Sequence, residues 1–146
     1  MKVSTRGRYG TRMLLDLALH YGEGLVLLKD VARRQEISLK YLEQVANRLR
    51  VAGLIKTSRG AKGGYELAKP PADIRLSLVI QVLEGSLSPV ACVEDDRSCP
   101  RVPFCVTRDV WSGMKKVILD FLESITLEDL VQQQKEKERQ AGMYHI

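Results

Sequence analysis

With 146 residues the chain has room for one moderate hydrophobic core, which favours a single domain with an appended element over two independent domains. No stretch approaches the roughly 18 consecutive apolar residues of a membrane span, and the opening Met1-Lys2-Val3-Ser4-Thr5-Arg6 lacks the apolar run of a secretion signal, so a cytoplasmic protein is expected. The net charge of +5 is unevenly spread: residues 1–69 hold 14 Lys and Arg against 6 Asp and Glu, a net of +8, whereas residues 70–146 hold 9 against 12, a net of −3, so affinity for a polyanion belongs to the first half.

Ser4 or Thr5 caps a first helix in which Tyr9, Met13, Leu14, Leu17, Ala18 and Tyr21 recur at helical spacing until Gly22. Arg6, Arg8 and Arg12 stand at its start, where they oppose the helix dipole. Contact with phosphate would account for them, and so would plain solvation of an exposed turn. His20, alone near the helix end, reads as structural or exposed rather than as a metal ligand. Residues 27–35 form a short second helix with Val31 and Ala32 inward, and Ile37-Ser38 turns into a third, the layout of a helix-turn-helix.

The third helix runs from the N-cap Ser38 to the left-handed stop at Gly53, with Leu42, Val45, Ala46 and Leu49 in one apolar stripe. Its opposite face carries Lys40, Tyr41, Glu43, Gln44, Asn47, Arg48 and Arg50, side chains that reach base edges and phosphates when a helix lies in a major groove. Residues 54–58 and 65–67 then read as two short strands joined by Arg59-Gly60-Ala61-Lys62-Gly63-Gly64. A tip such as Gly60 lets the backbone approach a phosphate, and Arg59 beside it can enter a narrow, negative minor groove. Charge by itself usually means a solvated surface. What points to double-stranded DNA is the order of helix, turn, polar-faced helix and basic hairpin, a winged helix-turn-helix.

Pro70-Pro71 marks a linker, after which Ser77 is expected to cap a short helix whose Leu78, Val79, Val82 and Leu83 pack back on the first half until Gly85. Residues 85–104 lose all periodicity and read as a long functional or disordered loop. From residue 107 an apolar stripe returns, with Val110, Met114, Val117, Ile118, Phe121, Leu122 and Ile125 on a helix of about 18 residues, roughly 27 Å long. A chain this size has little else to cover that stripe. Two copies are expected to pair through it in a homodimer, presenting two recognition helices to a near-palindromic operator; packing wholly inside one subunit is the alternative. Thr126 caps a last short helix over residues 127–134, with Leu127, Leu130 and Val131 available for packing, and residues 135–146 read as a flexible tail.

The fold class is therefore mainly α with a small β-wing. The expected division is a winged helix-turn-helix DNA-binding domain at 1–84, a cysteine loop at 85–106, and a dimerisation helix with a short C-terminal helix at 107–134.

Cys92, Cys99 and Cys105 are spaced C-x6-C-x5-C, an odd number in one loop, which argues against a disulfide framework. Structural zinc sites bring ligands in close pairs, and that pairing is missing. Soft thiolates at wider spacing suit an iron-sulfur cluster, while zinc and free or redox-active thiols stay open on these residues, and three thiolates leave one valence to fill. No acid-base pair, nucleophile constellation or phosphate loop ending in lysine-serine occurs, so an enzyme is not expected.

Over nearly its whole length the chain resembles the IscR-like winged-helix repressors, which include iron-sulfur biogenesis, nitric oxide and iron-responsive regulators. The resemblance is carried by Ser4-Thr5-Arg6-Gly7-Arg8-Tyr9, by Ile37-Ser38-Leu39-Lys40-Tyr41-Leu42-Glu43-Gln44, by Arg59-Gly60-Ala61-Lys62-Gly63-Gly64-Tyr65, by the three cysteines and by Ile125-Thr126-Leu127-Glu128-Asp129-Leu130. It implies that Ser38, Lys40, Tyr41 and Gln44 contact bases or phosphates, that Glu43 accepts from a cytosine amino group or repels the wrong sequence, and that Arg59 and Gly60 make the wing's contacts. It also implies that Cys92, Cys99 and Cys105 ligate an iron-sulfur cluster, in two-iron or four-iron form, and that the long helices cross in a dimer.

One departure stands out: where cluster-biogenesis members supply a histidine ligand three residues after the last cysteine, this chain has Arg108, whose guanidinium has no lone pair to give. Nitric oxide sensing members use a carboxylate from the partner's first helix, and the corresponding place here is Arg8. Glu94, Asp95, Asp96, Asp109, a partner residue, a small thiol or water are the remaining donors. Cluster-free members of the family, controlled by a cysteine-biosynthesis enzyme, supply the alternative function.

Overall fold

Ser4 starts the first helix, α1 (Thr5–Leu19): its hydroxyl accepts from the Gly7 N–H at 3.1 Å, serving one of the amides that a helix start leaves free. In the computed structural model, which describes residues 2–61 and 63–144, Met13, Leu14 and Leu17 of this helix lie at the centre of one core. Tyr21 does not continue the stripe; it lies beyond the end of α1 and is 47% exposed.

α2 (Leu28–Gln35) and α3 (Leu39–Val51) follow. Between them Glu36 takes the left-handed conformation, φ 55°, while its N–H reaches the Arg33 carbonyl and the Ile37 N–H reaches that of Ala32 at 3.0 Å. These bonds satisfy the last carbonyls of α2 and drive Ile37 into the core, which offsets the backbone cost of a non-glycine residue there. α3 closes in the same way around Gly53, φ 78°, with Leu54 buried behind it. The stripe of Leu42, Val45, Ala46 and Leu49 is buried as the spacing predicts.

The wing is an antiparallel pair, β1 (Ile55–Ser58) and β2 (Gly64–Leu67), in register Ile55↔Leu67 through Ser58↔Gly64. Ile55 and Leu67 root its base in the core, and Val26 exchanges two main-chain hydrogen bonds of 2.8 Å with Tyr65 to brace its outer edge.

α4 (Leu76–Glu84) packs across α1. Close approach is possible because α1 carries Gly10 at the crossing: a Cβ there would lie 2.6 Å from the Leu83 methyl carbons. Ser77 is not the cap of α4. The cap is Arg75, two residues earlier, because residues 74–76 pair with 125–127: the Leu76 N–H donates to the Ile125 carbonyl at 2.9 Å and that of Leu127 to Ile74 at 3.0 Å. That pairing takes up the first free amide of α4, and the buried Ser77 hydroxyl donates instead to the Glu123 carboxylate.

The loop after α4 contains a single turn, α5 (Ala91–Glu94), and two short 3-10 turns before α6 (Val106–Glu123) and α7 (Leu127–Tyr144). Thr126 and Asp129 cap α7 reciprocally, with N–H bonds of 3.1 and 2.9 Å. In place of the expected short helix over 127–134 and flexible tail over 135–146, α7 runs on to Tyr144, because side-chain pairs support its polar length; residues 145–146 lie outside the described residues. Side-chain pairs one turn apart, Gln132 to Glu128, Gln134 to Glu138 and Arg139 to Glu136, line its polar length, and most of these residues are strong helix formers. Leu127 and Val131, from the first turns of α7, are buried beside α1, so the core of the DNA-binding unit draws on residues beyond 84.

Candidate nucleic-acid interface and cysteine loop

Because the buried stripe fixes the rotation of α3, its other residues must face outward, and Lys40, Glu43, Gln44, Asn47, Arg48 and Arg50 are exposed. The Ser38 hydroxyl caps the helix by accepting from the Tyr41 N–H at 3.2 Å, and its own proton stays available to an acceptor outside. Tyr41 is half-buried, its ring edge-on to Tyr9 with centroids 5.8 Å apart, while the guanidinium groups of Arg8 and Arg12 lie 5.7 and 5.5 Å from the Tyr9 centroid. Its ring is thus a packing element. A groove of about 540 Å³ runs along this face between Arg6, Gln44, Asn47 and Arg48.

The structure gives all three early arginines partners within the chain, Arg8 donating to the Thr5 hydroxyl at 3.2 Å. Arg6 donates to the Leu83 carbonyl at 2.6 Å, tying α1 to the end of α4, and Arg12 binds the side chain and main-chain carbonyl of Gln35 at the end of α2. Their charge still adds to the positive face, but their positions are set by helix packing. At the wing, Arg59 and Gly60 are exposed at the tip, Gly60 with φ 110°, beyond the Thr57 hydroxyl that donates to the Gly64 carbonyl.

Asp16, 1% exposed, locks α1 to α2. Arg34 grips its two oxygens at 2.7 and 3.0 Å and Gln35 donates at 3.0 Å. Burial pushes this carboxyl up, but the hydrogen bonds from Arg34 and Gln35 outweigh it and hold the group below its ordinary range.

The three cysteines sit at three different structural points of one loop: Cys92 in α5, Cys99 at the end of the first 3-10 turn and Cys105 at the N-cap of α6. All are half-buried and free of disulfides. The Thr107 hydroxyl, 3.2 Å from the Cys105 sulfur, together with the Arg108 main-chain N–H holds that thiol below its ordinary range, which favours the thiolate that metals bind. The donor set therefore fits three thiolate ligands to a soft metal centre. Among the described residues no three His, Cys, Asp or Glu side chains are close enough to share a metal ion, so gathering the sulfurs requires the loop to move.

The carboxylates of the loop already have partners. Glu94 accepts from Ser86 and Ser88 at 2.5 Å and pairs with Lys115, Asp95 accepts from Arg97, and Asp96 pairs with Arg108. The Ser86 and Ser88 hydroxyls, with Lys115, hold Glu94 below its ordinary range.

The family model Rrf2, described as an iron-dependent transcriptional regulator, matches residues 3–133. The chain belongs to the Rrf2 family. It is 47% identical over 131 residues to the protein rrf2 of Nitratidesulfovibrio vulgaris, covering 90% of this chain and 87% of that one. It is 40% identical over 146 residues to the regulator CymR of Bacillus subtilis, covering both chains fully, and the solved structure of CymR superposes with a TM-score of 0.77 over 91% of this chain and 98% of that one. The solved structure of T. potens IscR, 47% identical, also gives a TM-score of 0.77, over 94% of this chain and 90% of that one. As an Rrf2-family protein this chain is a DNA-binding transcription regulator and not an enzyme.

One contact of this Rrf2-family chain is not evident from residue spacing. Arg108 has no lone pair for a metal, and in the fold its guanidinium holds the Cys92 carbonyl and Asp96 together. The signal available was charge complementarity, an acidic run at residues 94–96 and basic residues on the helix after the last cysteine.

Proposed function

We propose that this chain is a homodimeric regulator, chiefly a repressor, that grips a near-palindromic operator through α3 and the wing, and that an iron-sulfur cluster held by Cys92, Cys99 and Cys105 biases that grip. In this reading Ser38, Lys40 and Gln44 donate to base edges or phosphates, Tyr41 contributes its hydroxyl, and Glu43 accepts from a cytosine amino group. Arg59 enters the minor groove beside the wing, where Gly60 lets the backbone reach a phosphate.

The observation that carries the proposal is that the only three sulfurs of the cysteine set lie in one loop ending on the N-cap of α6, whose outward face is apolar and uncovered. A bound cluster would supply a redox-sensitive link between three points of that loop. Cys105 ties any such link to the first turn of α6, and α6, through pairing of its outward face with a second copy, sets the spacing of the two recognition helices. Because Glu94, Asp95 and Asp96 are engaged within the loop, Asp109, a residue of the second copy, a small thiol or water is the better source of the fourth ligand. The test is absorbance, Mössbauer spectroscopy and iron and sulfide analysis on anaerobically isolated protein. Visible absorbance with matched iron and sulfide is expected, and a colourless protein without either contradicts the proposal.

The end-to-end match to CymR, whose structure is described as that of a global cysteine regulator, favours a second reading, cluster-free control by a protein partner. It predicts that Cys92→Ala leaves operator binding unchanged and that an enzyme of cysteine biosynthesis binds the chain tightly; under the first reading that substitution uncouples DNA binding from iron.

A further inference from the structure

Helix α6 has two unlike faces. Val106, Val110, Val117 and Phe121 point outward, between 55% and 77% exposed. The half-buried face carries Arg108 and Lys115, two turns apart, and against it lies the acidic run at residues 94–96. Arg108 is the better buried partner, its side chain 22% exposed; its Nε donates to the Cys92 carbonyl at 3.1 Å and its Nη2 to the Asp96 carboxylate. Lys115 lies 3.6 Å from the Glu94 carboxylate, which the Ser86 and Ser88 hydroxyls orient.

We infer that Arg108 and Lys115 form a two-point clamp that fastens the Cys92 segment to α6, and that this clamp competes with closure of the three cysteines around a metal-sulfur group. The first half stands on geometry alone, and the second rests on the cluster reading proposed above. Cys105 is fixed at the N-cap of α6, three residues before Arg108. The sulfurs are not gathered while the clamp holds. Bringing Cys92 towards Cys105 moves the Cys92 main chain, and its carbonyl is what Arg108 holds. A planar guanidinium can serve a carbonyl and a carboxylate at once, which a lysine ammonium on its flexible stem does with far poorer geometry. Arg108 is thus a positioning residue, acting on the Cys92 segment through a charged tie.

The experiment uses the full chain, reduced and freed of iron, and reads per-cysteine alkylation by a maleimide together with amide exchange over residues 90–98. Releasing a charge-assisted tie is expected to raise Cys92 alkylation and exchange in Arg108→Ala by about tenfold, with α6 helicity unchanged. Arg108→Lys recovers only part of the protection, and Lys115→Ala gives a smaller increase. Rates within twofold of the unaltered chain overturn the clamp. Should Arg108→Ala lose helicity, Asp96→Asn carries the test, since it removes one arm at a site 76% exposed; a rise of about threefold supports the clamp and no change overturns it. For the second half, anaerobic loading with ferrous iron and sulfide is expected to be faster in Arg108→Ala. Equal or slower loading overturns the competition, and failure of either protein to load, with alkylation altered as expected, overturns the competition and the cluster reading while leaving the clamp standing.

Discussion

An ionised carboxylate at 1% exposure among leucines and valines would be strongly destabilising if unpaired, and Asp16 avoids this with three charged or amide donors. Its folded pKa lies below the ordinary 3.8, so its contribution is fully present above that value and lost as pH falls through the lower, folded value. Asp16→Asn is expected to cost about 2 kcal/mol at neutral pH, read by urea unfolding, and the gap to the unaltered chain should shrink below about pH 3.8. A gap constant from pH 7 to pH 3 would contradict the assignment. On the DNA face, Arg59→Ala is expected to weaken operator binding by about 1–3 kcal/mol, measured by fluorescence anisotropy at fixed salt, and to cost less on unrelated duplex. Equal losses on both would make Arg59 a phosphate contact only.

Between elements, the α1–α4 crossing depends on Gly10, and Leu83 opposite it is fully buried. Gly10→Ala gains about 1 kcal/mol of helix propensity but is expected to lose more to overpacking, for a net destabilisation of about 1–2 kcal/mol in urea unfolding; an increase in stability would contradict this crossing. The sequence made α3 and the wing legible because both are local: a stripe at helical spacing, a serine before it, a glycine after it, then a glycine-rich hairpin. It was silent where partners lie far apart. Ser77 looked like a cap, but pairing with residues some fifty positions on moved the start of α4. The apolar period over residues 110–125 is a single stripe, whereas its own subunit packs Leu122 and, beyond the end of α6, Ile125 against the core, half-buries Ile118 and leaves Val110, Val117 and Phe121 outside, a division no period can encode. The polar second half of α7 carried no apolar signal, and its one-turn pairs count only once the capped first turns are anchored in the core.

Across the molecule, a strongly basic first half and an exposed apolar helix face belong together in the proposed reading, in which one grips DNA and the other joins two such grips. Val117→Asp alters a side chain 68% exposed, so the fold should persist while sedimentation shifts from dimer to monomer at micromolar concentration. A dimer of unchanged strength would place the interface elsewhere. The central claim is that metal held by the cysteine loop changes the hold on DNA. It is tested most directly by operator affinity and its salt slope, measured anaerobically on the same preparation before and after chelation removes iron. Affinity for the operator is expected to change by more than affinity for unrelated duplex, and Cys92→Ala is expected to abolish this difference. Identical affinity and salt slope before and after removal of iron would contradict it.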